Sequence, residues 1–163
     1  MTEEKKDFFV SDISLSYQYT AGNATTRFLN KVAEGKLVAQ KCPKCSAVYV
    51  PPRGSCPRCG IATKEELELP DTGAVESFTI VHIPIPGNPI VPPYVSAMIR
   101  LDGADISFLH LIQEIDLADI RIGMRVQAVW KDKSEWGTTL ENIKWFKPTG
   151  EQDVDPSLFK FKE

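Results

Sequence analysis

The sequence predicts a mainly β protein: an N-terminal helix, a rubredoxin-like zinc ribbon, then a five-stranded barrel of the OB type. Three observations carry that expectation. All four cysteines fall between positions 42 and 59, as two Cys-x-x-Cys pairs. A turn sequence, Pro70-Asp-Thr-Gly73, marks a change of pattern. Beyond it, branched and aromatic residues recur at strand spacing in five segments.

Taken in order, residues 1–34 read as an arm and a helix. Phe8, Phe9 and Val10 are apolar, and Ile13-Ser-Leu15-Ser-Tyr17 has strand period. So close to a terminus, such a segment suits an arm laid on something larger. A helix is expected over 23–34, capped by Asn23 or Thr25, striped by Phe28, Leu29, Val32 and Ala33, and stopped by Gly35. A helix this short must pack to survive. Core packing and partner contact explain its stripe equally well.

Residues 35–69 read as the ribbon. A short strand at 36–40 leads into Cys42-Pro-Lys-Cys45, Ala47-Val-Tyr-Val50 runs out as a second strand, and Pro51-Pro52 turns it back to Cys56-Pro-Arg-Cys59. Residues 61–69 return as a strand or extended linker, acidic at Glu65, Glu66 and Glu68. Two thiolates three positions apart on a tight turn point at one centre. Two such turns offer four soft ligands in tetrahedral array, at about 2.3 Å from a Zn2+. A tetrathiolate site at Cys42, Cys45, Cys56 and Cys59 is therefore expected, with zinc the default and iron the lesser option. It reads as structural, because four protein thiolates leave no open position for water or substrate. Disulfides would need an oxidising compartment. A redox Cys-x-x-Cys would come once, after a strand of a thioredoxin-like unit.

Residues 70–148 read as the barrel. Strands are expected at 74–83, 94–101, 106–112, 124–130 and 141–146. The stretch 84–93 holds five prolines and a glycine, so it must be a surface loop, since proline lacks the ladder donor. Asp102-Gly103 signals a hairpin between the second and third strands. Residues 117–122 form a short link, and 131–137 a polar excursion. This order matches a small Greek-key OB barrel, with a five-stranded SH3-like barrel as the rival. Residues 149–163 lose periodicity. With Phe159 and Phe161 they suit a tail that docks on a partner.

Composition narrows the function. The net charge is −3 and the pI about 5.5, which argues against a protein built mainly to hold nucleic acid. From Tyr94 to Lys147, seven Lys and Arg face eight Asp and Glu, so the barrel offers no electrostatic funnel for a single strand. A single-stranded nucleic-acid-binding OB protein is the alternative reading. The charged N-terminus shows no signal peptide, and no apolar run is long enough to span a membrane. A cytoplasmic location is expected.

Catalytic groups are scarce. His82 and His110 sit inside apolar strand patterns, where a histidine is usually a hydrogen-bonded core or rim residue. No nucleophile elbow, P-loop or dinucleotide fingerprint is present. By itself the chain is expected to do no chemistry. It is better equipped to bind: Lys41, Lys44, Arg53 and Arg58 lie between Lys41 and Gly60 with no acidic residue among them. A Zn2+ with four thiolates carries two negative charges, so the loaded ribbon stays positive. Lys44, Arg53 and Arg58 are candidates for holding a phosphate, Arg53 above all, since prolines and Gly54 fix its backbone and its fork can bind bidentately. Ordinary surface charge explains them equally well.

The motif Cys42-Pro-Lys-Cys45, Pro51-Pro-Arg53, Cys56-Pro-Arg-Cys59-Gly60, preceded by Glu34-Gly-Lys36, resembles the acyl-CoA-associated zinc-ribbon/OB-fold proteins that accompany thiolases. Gly73-x-Val75-x-Ser77-Phe-Thr79, Gly123-Met-Arg-Val126 and Trp145-Phe-Lys-Pro148 are similar to that family's barrel, so the resemblance spans roughly 19–148. The chain departs at Ser46, where the family usually has glycine; a β-carbon at a left-handed turn costs on the order of 1 kcal/mol. The resemblance implies a non-catalytic zinc-binding subunit that pairs with a thiolase-fold enzyme and helps to hold CoA or shape the acyl channel. The partner would supply the nucleophilic cysteine and its base. Aromatic residues near both termini would then be interface anchors.

Overall fold

The computed structural model describes residues 10–11 and 13–159. Phe8, Phe9 and Phe161 lie outside the described residues. Helix α1 spans Gly22–Ala33, starting one residue earlier than expected. Neither Asn23 nor Thr25 caps it, because with that start both are already helical; Ala21 stands at the cap and offers no side-chain acceptor. The C-terminus follows expectation. Gly35 is left-handed at φ +78°, its N–H donates to the Val32 carbonyl and that of Lys36 to the Lys31 carbonyl, both at 3.0 Å. A β-carbon on Gly35 would also sit 2.6 Å from the Trp136 ring. Phe28 and Val32 are buried against the body of the protein, so the apolar stripe is core.

Strand β1 (Leu37–Lys41) is the centre of a three-stranded antiparallel sheet between β2 (Val48–Tyr49) and β3 (Glu65–Leu69). Glu65, Glu66 and Glu68 lie exposed on edge strand β3, where charge discourages further pairing. Only Pro70 and Asp71 separate this sheet from the barrel.

The barrel comprises β4 (Thr72–Val81), β5 (Tyr94–Leu101), β6 (Phe108–Ile112), β7 (Arg125–Trp130) and β8 (Ile143–Pro148), closed in the order β4-β5-β6-β8-β7. Its third and fifth strands pair in parallel, Ile112 opposite Phe146, while the fourth pairs with the first. That Greek-key closure is the OB arrangement; an SH3-like barrel pairs its third strand with its fourth. Alternation sorts the side chains: Val95, Ala97, Ile99 and Leu101 of β5 point inward and are buried. One continuous core runs from Phe28 and Val32 through Leu37, Val48 and Val50 to Ile99, Val126 and Phe146. Each such large side chain contributes about 1.5–3 kcal/mol by leaving water.

Polar side chains lock the pieces together. Asp105, in the connection between β5 and β6, accepts from the Val48 N–H at 2.8 Å and donates its own N–H to the Val48 carbonyl at 3.0 Å. This clasp seats the ribbon on the barrel. Asn142 is fully buried; its amide donates to the carbonyls of Val32 (3.2 Å) and Gly137 (2.7 Å), and its oxygen accepts from the Gly137 N–H at 3.0 Å.

Four further expectations need correction. The last strand begins at Ile143, because Leu140–Asn142 form a 3-10 turn capped by Thr139. His82 lies beyond the end of β4 and is exposed. The excursion at 131–137 is not simply polar: Trp136 packs beside Trp130 at 5.5 Å and over Gly35. The tail, through Phe159, folds back on its own barrel. The Val154 N–H donates to the Gly123 carbonyl, and Arg100 donates to the Phe159 carbonyl at 2.7 Å with its guanidinium over the Phe159 ring. Among the described residues no helix is long and apolar enough to cross a membrane.

Candidate metal centre and its surroundings

The two cysteine pairs fold into matching knuckles. In the first, the Cys42 N–H donates to the Ala47 carbonyl (2.8 Å) and the Ser46 N–H to the Cys42 carbonyl (2.9 Å). In the second, the Cys56 N–H donates to Ile61 (2.8 Å) and the Gly60 N–H to Cys56 (2.9 Å). Each turn needs a left-handed residue at the same place, Ser46 at φ +58° and Gly60 at φ +68°. Gly60 meets that demand freely, whereas Ser46 does so against its β-carbon.

Folding in this way brings all four sulfurs within 4.8 Å of one another, with Cys45 and Cys56 3.6 Å apart. A tetrahedron with metal–sulfur bonds of about 2.3 Å has edges of about 3.8 Å, so the array fits a single tetrahedral cation. The cysteines are not bridged; Cys42 and Cys56 are buried, Cys45 and Cys59 half-buried. Among the described residues no other cluster of His, Cys, Asp or Glu has this geometry.

Donors around the array favour thiolates. The N–H groups of Lys44 and Cys45 point at Cys42 Sγ at 3.4 and 3.5 Å, and the Cys45 N–H is the main cause that lowers the Cys42 thiol. Cys56 is lowered to about 6, chiefly by the Tyr49 hydroxyl at 3.3 Å. Burial instead pushes Cys59 up to about 12. A divalent cation reverses that, since its charge deprotonates a coordinating thiol outright. Gln40, buried on β1, braces the second knuckle by accepting from the Gly54 N–H at 3.2 Å and the Thr63 hydroxyl at 3.1 Å. A lone glutamine in a strand gave no sequence signal for this role.

The basic residues surround this centre. Lys44, Arg53 and Arg58 are exposed, and the Arg53 guanidinium lies 5.9 Å from the centroid of the Tyr49 ring. Arg53 therefore stands over the aromatic ring whose hydroxyl reaches the metal array. Neither histidine joins a catalytic group. His110 is half-buried edge-on to Phe108 and Phe146, and burial holds it below the usual histidine range.

Two apolar surfaces complete the picture. A shallow groove of about 560 Å³ runs along β6 and β8, floored by Leu109, Leu111, Leu140 and Trp145, with Lys131 and Lys144 beside them. Alternating inward and outward residues had hidden it in the sequence. On the arm, Ile13, Leu15, Tyr17 and Tyr19 are 80%, 81%, 76% and 82% exposed, an apolar stripe at strand period facing water.

Comparison with known proteins agrees with this geometry. Residues 30–65 match the family model for the ChsH2 rubredoxin-like zinc ribbon domain, and residues 66–131 that for the ChsH2 C-terminal OB-fold domain. A DUF35 domain-containing scaffold protein of Methanocaldococcus jannaschii is 36% identical over 103 residues, 62% of this chain and 72% of that protein. A probable enoyl-CoA hydratase alpha subunit of Thermomonospora curvata is 34% identical over 95 residues, which are 58% of this chain but 29% of that protein. Among solved structures, a DUF35-family protein of unknown function from Sulfolobus solfataricus superposes with a TM-score of 0.56 at 26% identity, covering 66% of this chain and 78% of that one. The Ltp2-ChsH2(DUF35) aldolase gives a TM-score of 0.60 at 27% identity, covering 80% of this chain and 98% of the matched chain. The cysteine knuckles, the Greek-key barrel and these matches together place the chain in the DUF35 family of zinc-ribbon/OB-fold scaffold proteins, alongside ChsH2.

Proposed function

We propose that this chain is a non-catalytic accessory subunit of a thiolase-type acyl-CoA enzyme. It holds one structural Zn2+ on Cys42, Cys45, Cys56 and Cys59, and helps to bind CoA or shape the acyl-CoA site while its partner performs the chemistry. The observation that carries this reading is the superposition on the DUF35 chain of the Ltp2-ChsH2 aldolase, 98% of which is covered. The site supports it. Four inward-facing sulfurs close the coordination sphere of a tetrahedral cation, so the metal would fix the fold rather than activate a substrate. Soft thiolates in tetrahedral array suit zinc, a redox-inert ion. The exposed Lys44, Arg53 and Arg58 offer charge for the phosphates of CoA, and the exposed arm stripe offers apolar surface for a protein partner.

The test is reconstitution. The chain expressed with and without a thiolase-fold partner is assayed for C–C bond formation or cleavage on acyl-CoA substrates. Activity is expected only in the complex, and the two chains are expected to co-purify. Full turnover by the lone chain would overturn the reading. So would tight oligonucleotide binding at low salt combined with no affinity for a thiolase-fold partner.

A further inference from the structure

We propose that Tyr49 is a positioning residue of the metal centre, its hydroxyl donating to the Cys56 thiolate and holding that ligand against loss of the metal. This rests on the four-thiolate reading of the site and goes beyond it to a residue outside the ligand set. Tyr49 lies on β2 opposite Gln40 of β1 and is 1% exposed, so its ring position is fixed by the sheet and by packing. The ring packs with Cys42, Ala47 and Cys56, against Ile61 and Ile106. A phenylalanine would fill the same space. The hydroxyl is what packing does not explain, and it sits 3.3 Å from Cys56 Sγ in a buried setting. An unpartnered buried hydroxyl is costly, so its direction toward sulfur is specified by the fold.

The near-symmetry of the two knuckles sharpens the point. Thr63 stands three residues after Gly60 as Tyr49 stands three after Ser46, yet the Thr63 hydroxyl donates to Gln40 and not to a sulfur. Backbone N–H groups serve the first cysteine of both pairs, through Lys44 and Cys45 for Cys42 and through Arg58 and Cys59 for Cys56. Cys56 has the phenol in addition. Hydrogen bonds to charged acceptors are the strong ones, and groups that orient metal ligands typically matter 10–100-fold in metal affinity.

The full chain and its Tyr49→Phe variant are each loaded with Zn2+ or Co2+ alone. Zinc content at one equivalent in both tests the site itself, separately from the role of Tyr49. If Tyr49 positions Cys56, the Phe variant gives zinc up to a competing chelator about 10–100-fold more readily. Its cobalt form also shows the sulfur-to-metal charge-transfer band moved to lower energy, because an undonated thiolate holds its lone pairs less tightly. A lower melting temperature with an unmoved band and unchanged chelator competition would overturn the proposal, since packing alone would explain it. Should the variant fail to fold, the native sequence made with 3-fluorotyrosine replaces it. Its stronger phenol donor is expected to move the band to higher energy, and an unmoved band there overturns the proposal equally.

Discussion

Ser46 and Gly60 occupy equivalent corners of the two cysteine knuckles, which makes a matched pair of substitutions informative. Ser46→Gly removes a β-carbon from a residue held at φ +58°. A left-handed conformation costs an L-residue about 1–2 kcal/mol, and glycine gives back roughly 0.5–1 kcal/mol in unfolded-state entropy. The net expectation is a gain of about 0.5–1 kcal/mol. Gly60→Ser is the converse at φ +68°, and nothing lies within 4 Å of where its β-carbon would point. It should lose a similar amount through backbone strain alone. Urea unfolding of the metal-loaded proteins, with the midpoint read at constant slope, measures both. Opposite shifts of comparable size are predicted. If Ser46→Gly were neutral or destabilising while Gly60→Ser cost nothing, the left-handed turn would not be the source of strain at this corner.

Asn142→Ala should cost about 2–4 kcal/mol in the same assay, because it deletes one buried and two part-buried hydrogen bonds and takes the side-chain partner from both backbone groups of Gly137; a loss under about 0.5 kcal/mol would refute that role. Arg125 grips Asp102 at 2.6 and 2.7 Å and holds its carboxyl below the usual carboxylate range. The unfolded chain therefore binds that proton first, so the pair's stabilisation is complete above about pH 4 and is lost as pH falls toward the folded value. Asp102→Asn should flatten the acid limb of the stability profile there. With the Asp102 side chain 40% exposed, the effect at neutral pH should stay under about 1 kcal/mol. Arg53→Ala is predicted to raise KM for the CoA ester in the reconstituted complex with kcat little changed; an unaltered KM would remove Arg53 from the binding surface.

Local chemistry was the legible part of this chain. The cysteine spacing specified the sulfur array, and strand period with turn residues located all five barrel strands within a few residues. Gly35 announced the end of the helix, and Ser46 its own strain. What stayed hidden depends on contacts distant in sequence. The parallel pairing of Ile112 with Phe146 leaves no local trace, so the OB and SH3-like closures read alike. Asn142 read as part of the last strand and Trp136 as part of a polar excursion, yet one ties Val32 to the barrel and the other covers Gly35. The docked tail depends on Arg100, 59 residues before the carbonyl it binds. Near the metal array, Tyr49 read as an ordinary strand residue until the second knuckle folded against its hydroxyl.

The most direct test of the account is metal analysis of the reduced, freshly purified chain, followed by unfolding with and without a chelator. One equivalent of zinc per chain is predicted, with the ribbon losing its fold once the metal is withdrawn. Far less than one equivalent of zinc or iron, together with a fold indifferent to chelation, would contradict it.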